Sequence, residues 1–169
     1  FHLITANEML PSYTGYPSPA LVLSQIYDRE DNQQEQFHWL EVLLENLQHD
    51  YESAIILAEE ALKVEEFDRA EYYIDRAIQV DPYRSSVHEL RARYADDIND
   101  PELAVTEYEV LLKLEINDPV EARTDLAEAY LSNGQINEAR QSVLYALEVA
   151  PSYRRAQEVL LKSVNGSQN

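Results

Sequence analysis

Residues 120–151 read VEARTDLAEAYLSNGQINEARQSVLYALEVAP, and this stretch decides the fold. On each side of Asn133-Gly134 the apolar residues recur at steps of three and four, which is the period of an amphipathic helix. Asn-Gly is a turn signal. The stretch therefore predicts two helices, 120–132 and 136–149, that are joined by a short turn and fold back on each other.

The same arrangement occurs twice more upstream, at a spacing of 34 to 35 residues. Alanine recurs at two positions of the repeat, bulkier apolar residues at a third, and alanine or leucine at a fourth. In that order the sets are Ala58, Ala92 and Ala127; Ala70, Ala104 and Ala139; Ile74, Tyr108 and Val143; and Ala77, Leu111 and Ala146. A fixed period of this size is typical of stacked helix pairs. The alanines fit the points where two helices cross, because a larger side chain there would push the axes apart.

The repeat predicts an all-α fold of antiparallel helix pairs that ends in a capping helix. The expected parts are an irregular lead-in at 1–19, a degenerate pair at 20–48, repeats at 51–83, 84–118 and 120–151, a capping helix at 152–164 and a tail at 165–169. Helices are expected at 51–64 and 67–80, at 84–97 and 101–115, and at 152–164. Residues 3–10 are able to form a short helix in the lead-in. The polar residues 28–36 are expected to be either a connection between the helices of the degenerate pair or a fraying helix end.

Proline, glycine and asparagine give the helix boundaries. At 81–82 and at 118–119 the sequence is Asp-Pro, which predicts a carboxylate N-cap followed by proline at the first helical position. At 150–151 the proline is kept without the cap. The segment 99–101 supplies the turn inside the second pair, as Asn133-Gly134 does inside the third.

At these residues the chain resembles the tetratricopeptide-repeat family. That family combines a large and a small residue in the first helix with a small residue, an aromatic or aliphatic residue and an alanine in the second, and a proline after it. The first full unit matches with Leu57, Ala58, Ala70, Ile74, Ala77 and Pro82, and the third with Leu126, Ala127, Tyr130, Ala139, Val143, Ala146 and Pro151. The middle unit departs from the pattern at Arg91 and Leu111, and its proline comes late, at Pro119. That delay suggests a longer second helix or an irregular junction at 115–118.

The resemblance implies a right-handed solenoid whose concave groove binds protein or peptide segments. The groove positions map onto Glu52, Ile55, Glu59, Glu89, Arg93, Asp97, Glu121, Glu128 and Arg155. Acids dominate this set, so a basic partner is expected, and the two arginines would accept an acid from it. Family members that hold the carboxylate tails of chaperones carry lysines and asparagines at corresponding points. That clamp is not expected in this chain, where the points are held by Ile55, Glu59, Glu89 and Glu128.

Charge and composition exclude several classes of function. The formal net charge is -19, which argues against nucleic acid and against anionic membrane surfaces as partners. Either a salt-adapted proteome or a basic partner explains it. The chain has no cysteine and three glycines, and His88-Glu89 lacks the second histidine of a zinc-peptidase motif because Ala92 stands there. We therefore expect no catalytic residue, no metal site, no cofactor and no enzymatic activity.

A weaker resemblance connects the chain to the C-terminal helical-repeat tails of bacterial gluzincin-type metallopeptidases. It rests on 13–19, on the helix 20–27, and on ALEVAP at 146–151 followed by Arg-Ala-Gln at 155–157. It implies an alternative function as a structural or dimerising tail. The partner would then be a second copy of the chain, in a homodimer. No apolar run approaches the roughly 18 residues of a membrane span. The chain is expected to be soluble, either cytoplasmic or periplasmic, and to be one module cut from a longer bacterial protein, since it starts at Phe1.

Overall fold

The computed structural model describes residues 2–9, 17–46, 50–114 and 118–165. In these ranges the regular secondary structure is entirely helical, so the all-α prediction is confirmed. The helices are α1 (His2–Met9), α2 (Pro19–Arg29), α3 (Gln33–Asn46), α4 (Tyr51–Lys63), α5 (Phe67–Val80), α6 (Ser85–Asp97), α7 (Pro101–Lys113), α8 (Pro119–Ser132), α9 (Ile136–Val149) and α10 (Arg154–Asn165). The chain divides into two compact units, Phe1–Pro82 and Tyr83–Asn169, here called unit 1 and unit 2. The division falls at the border between two predicted repeats.

Unit 1 consists of α1 to α5. Helix α2 pairs with α3 and α4 pairs with α5, while α1 packs on α2 and α3 contacts α4. The degenerate pair has its own core of Ala20, Leu23, Trp39 and Leu43. The predicted lead-in thus contains a helix, α1, while residues 1 and 10–16 of that lead-in lie outside the described ranges.

Unit 2 consists of α6 to α10. Helix α6 pairs with α7 and α8 with α9; α7 also contacts α8, and α10 packs on both α8 and α9. One core cluster joins α6, α7 and α8 through Ala95, Ala104, Val105, Leu126 and Ala129. A second joins α8, α9 and α10 through Ala127, Val143, Ala146, Ala156 and Val159. The last helix therefore covers the apolar face of the preceding pair, which is the role of a cap.

The repeat register is confirmed by burial. The six alanines at the first two repeat positions, Ala58, Ala92, Ala127, Ala70, Ala104 and Ala139, are all 0% exposed. At the third position Ile74 and Val143 are fully buried, whereas Tyr108 is only partly buried. The alanines lie where paired helices approach each other, as their size predicts.

The Asp-Pro signal gives one correct boundary and one wrong one. Asp118 caps α8, because its Oδ1 accepts the backbone N–H groups of Val120 and Glu121 at 3.0 Å each. Asp81 does not cap α6. Its own N–H donates to the carbonyl of Ala77 at 3.0 Å, so Asp81 ends α5, and α6 begins only at Ser85.

Further helix boundaries also differ from prediction. The proline at 151 lies in a turn and α10 begins three residues later, while the turn at 99–101 holds a second Asp-Pro cap in which Asp100 Oδ1 accepts the N–H of Leu103 at 3.0 Å. The polar connection predicted at 28–36 shrinks to 30–32, since α2 and α3 both extend into it. Helix α7 ends at Lys113, so the suggestion of a longer helix is wrong, and residues 115–117 of the alternative junction lie outside the described ranges.

The turns inside the four pairs share one conformation. Each turn has three residues, and its middle residue has a positive φ: Asp31 (55°), Glu65 (59°), Asn99 (57°) and Gly134 (73°). In each, the N–H of the next residue donates back to a carbonyl of the preceding helix at 2.8 to 2.9 Å, as in a Schellman motif. The connections between pairs are longer, with four residues before α4, α6 and α10 but five before α8.

Candidate binding groove

Two adjoining cavities of unit 2 contain most of the predicted site residues of that unit. The first has a volume of about 510 Å³ and is lined by Ser85, Glu89, Arg93, Tyr108, Leu111, Leu114, Asp118, Glu121, Ala122 and Asp125. The second has a volume of about 410 Å³ and is lined by Asp96, Tyr108, Asp125, Glu128, Ala129, Leu131, Ser132, Arg155 and Lys162. Tyr108 and Asp125 line both. We call the two cavities together the groove of unit 2.

The first cavity has charged side chains around an apolar floor. Glu89 and Arg93 lie one turn apart on α6, and Glu121 lies in the first turn of α8; all three are exposed. Arg93 makes no hydrogen bond or ion pair with any other residue that the structure describes. The floor consists of Leu111, Leu114 and Ala122. This cavity therefore offers carboxylates, one available guanidinium and apolar surface at once.

The second cavity is organised by an ion-pair cluster. Arg155 Nη1 lies 2.6 Å from Asp125 Oδ1, and Arg155 Nη2 donates to Glu128 Oε2. The two carboxylates lie three residues apart on α8, so they are neighbours on one helix face. Burial raises the pKa of Asp125 above its usual range, and the charge of Arg155 opposes that rise. The cluster thus holds a guanidinium between two carboxylates, one of which is poorly hydrated.

A second polar contact lies beside this cluster. The Tyr108 hydroxyl donates to Asp96 Oδ2 at 2.9 Å. Burial and the neighbouring Asp96 carboxylate raise the pKa of Tyr108 well above its usual value, so the phenol stays protonated and keeps donating. Burial also raises the pKa of Asp96, while the bond from Tyr108 opposes the rise. As pH falls, Asp96 and Asp125 are therefore protonated earlier than ordinary aspartates.

The remaining predicted residues lie elsewhere. Glu52, Ile55 and Glu59 are on α4 of unit 1, where the two acids are exposed and Ile55 is partly buried. A cavity of about 380 Å³ within unit 1 is lined by other residues, among them Phe37, His38, Glu41, Glu60, Val64 and Arg69. Asp97, the last residue of α6, is exposed and does not line the groove of unit 2.

Sequence reasoning missed two central residues of the groove. Asp125 lies one turn from both Glu121 and Glu128, so helical spacing alone was sufficient to include it. Tyr108 occupies a core position of the repeat, and nothing in the sequence distinguishes it from the buried Ile74 and Val143. Its hydroxyl donates a hydrogen bond to Asp96, one residue from a predicted site residue, and Tyr108 thereby lines the groove.

The described ranges contain neither a candidate metal site nor a candidate membrane span. No group of three or more histidine, aspartate or glutamate side chains there is arranged to hold a metal ion. None of the helices in those ranges combines the length and apolar character required to cross a bilayer.

Comparison with known proteins finds the fold in solved structures. No protein-family model matches the sequence, and neither does any curated protein. The structure of the MamA protein matches with a TM-score of 0.74 at 13% identity, over 88% of this chain and 81% of that chain. The structure of YrrB, a TPR protein described as having an unusual peptide-binding site, matches with a TM-score of 0.69 at 14% identity, over 100% of this chain and 94% of that one.

The first TPR domain of human RPAP3 is similar over a shorter range. Its TM-score is 0.60 at 17% identity, and the match covers 72% of this chain and 94% of that domain. The weaker resemblance to metallopeptidase tails stays a prediction. The TM-scores of these matches show a common fold, and at identities this low they show the fold alone. The chain has the fold of tetratricopeptide-repeat proteins.

Proposed function

We propose that this chain is a non-catalytic scaffold that binds a segment of a partner protein, and that basic segments bind best. The observation that carries the proposal is the groove of unit 2, where Glu89, Glu121 and Asp125 surround an apolar floor. The carboxylates suit lysine or arginine, and Leu111 and Leu114 suit the aliphatic part of those side chains. Arg93 then suits an acidic group of the same segment.

Two structural neighbours support peptide binding as the mode of action. The first TPR of Spaghetti (RPAP3) has been solved with the HSP90 peptide SRMEEVD, and YrrB is described as having a peptide-binding site. The charge of this chain favours a different ligand from that acidic peptide. A net charge of -19 attracts a basic segment over long range and repels an acidic one.

The predicted acids outside the groove of unit 2 are assigned an auxiliary role. Glu52 and Glu59, with Ile55 between them, give α4 of unit 1 an acidic face, since residues three to four apart share a side of a helix. Asp97 extends the acidic end of α6 in unit 2. These residues would raise the rate of encounter with a basic partner rather than fix its register.

The proposal is tested with two labelled peptides, one of alternating arginine and serine and one of alternating glutamate and serine. Fluorescence anisotropy should detect binding of the basic peptide only. The double variant Glu89→Lys/Glu121→Lys should weaken that binding by about tenfold or more, equivalent to about 1.4 kcal/mol. The matched control is Glu71→Lys/Glu148→Lys, which makes the same charge change at exposed residues of α5 and α9.

The control decides between a groove and a general charge effect. Equal losses in the two double variants would mean that the peptide is attracted by net charge alone, and the groove proposal would be abandoned. If neither peptide binds and the chain forms a stable dimer in sedimentation experiments, the structural-tail alternative replaces it. Thermal midpoints within a few degrees of the wild-type value are required of all variants.

A further inference from the structure

The groove of unit 2 already contains a cationic side chain, that of Arg155. Arg155 is the second residue of α10, and its side chain is 40% exposed, against 20% for Asp125 and 35% for Glu128. One terminal nitrogen faces each carboxylate. The chain itself thus demonstrates that the two carboxylates of α8 bind a guanidinium.

The arrangement suits a guanidinium better than an ammonium. A guanidinium is planar and presents several N–H groups in a fixed fork, so Nη1 and Nη2 can serve two carboxylates at the same time. A lysine ammonium is a compact point charge. The spacing of Asp125 and Glu128 across the fork therefore selects arginine.

Arg155 can leave without loosening α10. The helix is held by Ala156 and Val159, which are 0% exposed and belong to the core cluster that joins α8, α9 and α10. Arg155 itself lies in the first turn, and 40% of its side chain faces solvent. Each of the three side chains keeps some exposure to solvent, so an incoming guanidinium can reach both carboxylates as Arg155 leaves.

We propose that Asp125 and Glu128 form an arginine-recognition subsite of the groove, which Arg155 occupies in the free chain and which a peptide arginine occupies by displacing it. The inference rests on the proposed function and specifies its ligand. Arg155 then competes with every incoming segment for Asp125 and Glu128. Only a segment with an arginine at the matching place can pair with both carboxylates. A peptide lysine pairs with Glu89 and Glu121 but replaces Arg155 poorly.

The test compares Arg155→Met with Arg154→Met. Both variants remove one positive charge from the first turn of α10, but within the described ranges Arg154 pairs with Glu158 alone, on the exposed face of the same helix. The probes are two labelled peptides of the same length, alternating arginine with serine and lysine with serine, at constant ionic strength. Arg155→Met should bind the arginine peptide about tenfold more tightly than the wild type. Arg154→Met should change its affinity by less than about twofold, the general effect of one exposed charge.

The lysine peptide gives the selectivity. In Arg155→Met its affinity should rise clearly less than that of the arginine peptide, because an ammonium lacks the planar fork that presents one terminal nitrogen to each carboxylate. In Arg154→Met it should change by less than about twofold. Equal gains for the two peptides in Arg155→Met, or equal gains in the two variants, overturn the inference while leaving the proposed function in place. Failure of every protein to bind either peptide overturns both.

A second measurement does not depend on a variant that folds. In the wild-type chain, the side-chain Nε–H resonance of Arg155 should shift when the arginine peptide is added, whereas that of Arg154 should stay. A stationary Arg155 resonance at saturating peptide shows that Arg155 is not displaced, and the inference then fails.

Discussion

At the scale of single residues, the turns of the helix pairs depend on one backbone conformation. A positive φ costs an ordinary L-residue roughly 1–2 kcal/mol, which glycine avoids because it has no Cβ. Asparagine and aspartate reduce the cost through local hydrogen bonds. Three of the four turns follow this rule, with Asp31, Asn99 and Gly134. Glu65 has neither advantage, so the turn between α4 and α5 is strained.

Replacing Glu65 by glycine should therefore stabilise unit 1. We expect a gain of about 0.5–1 kcal/mol after the greater freedom of glycine in the unfolded chain is subtracted. The thermal midpoint by circular dichroism is the measurement. Gly134→Ala is the reverse control: a Cβ at Gly134 meets nothing within 4 Å, so its loss of about 1 kcal/mol would be purely conformational. A midpoint lowered by Glu65→Gly would show that the strain argument is wrong.

At the scale of elements, the pairing of α6 with α7 contains a buried polar contact that the preceding pair, α4 with α5, lacks at the corresponding positions. His88 Nδ1 lies 2.6 Å from Glu107 Oε2, and both residues are more than nine-tenths buried. Arg91 Nε approaches the other carboxylate oxygen at 3.6 Å. The corresponding residues of α4 and α5, 34 positions earlier, are Ala54 and Tyr73. The middle repeat thus replaces a small residue and an aromatic by a histidine and a glutamate that contact each other.

Removing one member of this pair should lower the free energy of unfolding more than replacing both members. His88→Ala should destabilise the chain by about 3 kcal/mol, because it removes the 2.6 Å contact of the buried Glu107 carboxylate and leaves it with the longer, 3.6 Å approach of Arg91 Nε. The double variant His88→Ala/Glu107→Tyr places at these positions the alanine and tyrosine that α4 and α5 have, and it should recover most of the lost stability. Chemical denaturation of the single and double variants gives the coupling. Additive losses in the double variant would contradict this account.

Element boundaries also show where sequence reasoning works. Helices α5 and α9 begin and end where the periodicity places them, because local spacing and turn residues decide them. Asp81 was misassigned because Asp-Pro is equally compatible with the end of one helix, and only the hydrogen bond to Ala77 decides. Arg155 was expected to face a partner. Its pairing with α8 depends on how α10 packs, a contact between residues about a repeat apart that no local pattern contains.

At the scale of the whole molecule, we expect repulsion among the excess negative charges to outweigh the attraction within the ion pairs. Thirty-two acids face thirteen lysines and arginines, and several of the described ion pairs are exposed at both partners. Exposed pairs contribute about 0–1 kcal/mol each, whereas the excess negative charge repels itself throughout the chain. Folding concentrates that charge, so screening should favour the folded state.

Raising sodium chloride from about 0.02 M to about 0.5 M should therefore raise the thermal midpoint, since the screening length falls below about 8 Å. The rise should be measured at pH 7 by circular dichroism or calorimetry. Potassium chloride at the same ionic strength is the control for ion-specific effects and should give the same rise. A midpoint that stays flat or falls would mean that the ion pairs, such as those of Arg69 with Glu41 and Glu66, outweigh the repulsion.

The unequal lengths of the two kinds of connection bear on how the gene can change. Every turn within a pair has three residues around one left-handed position, whereas the segment before α8 has one residue more than its counterparts. That extra codon explains why the last repeat step is 35 and the others are 34. We therefore expect insertions and deletions to be tolerated between pairs and to be disruptive within them. A lineage of such proteins should keep its hairpins constant in length, drift at the junctions, and gain or lose material in whole repeats.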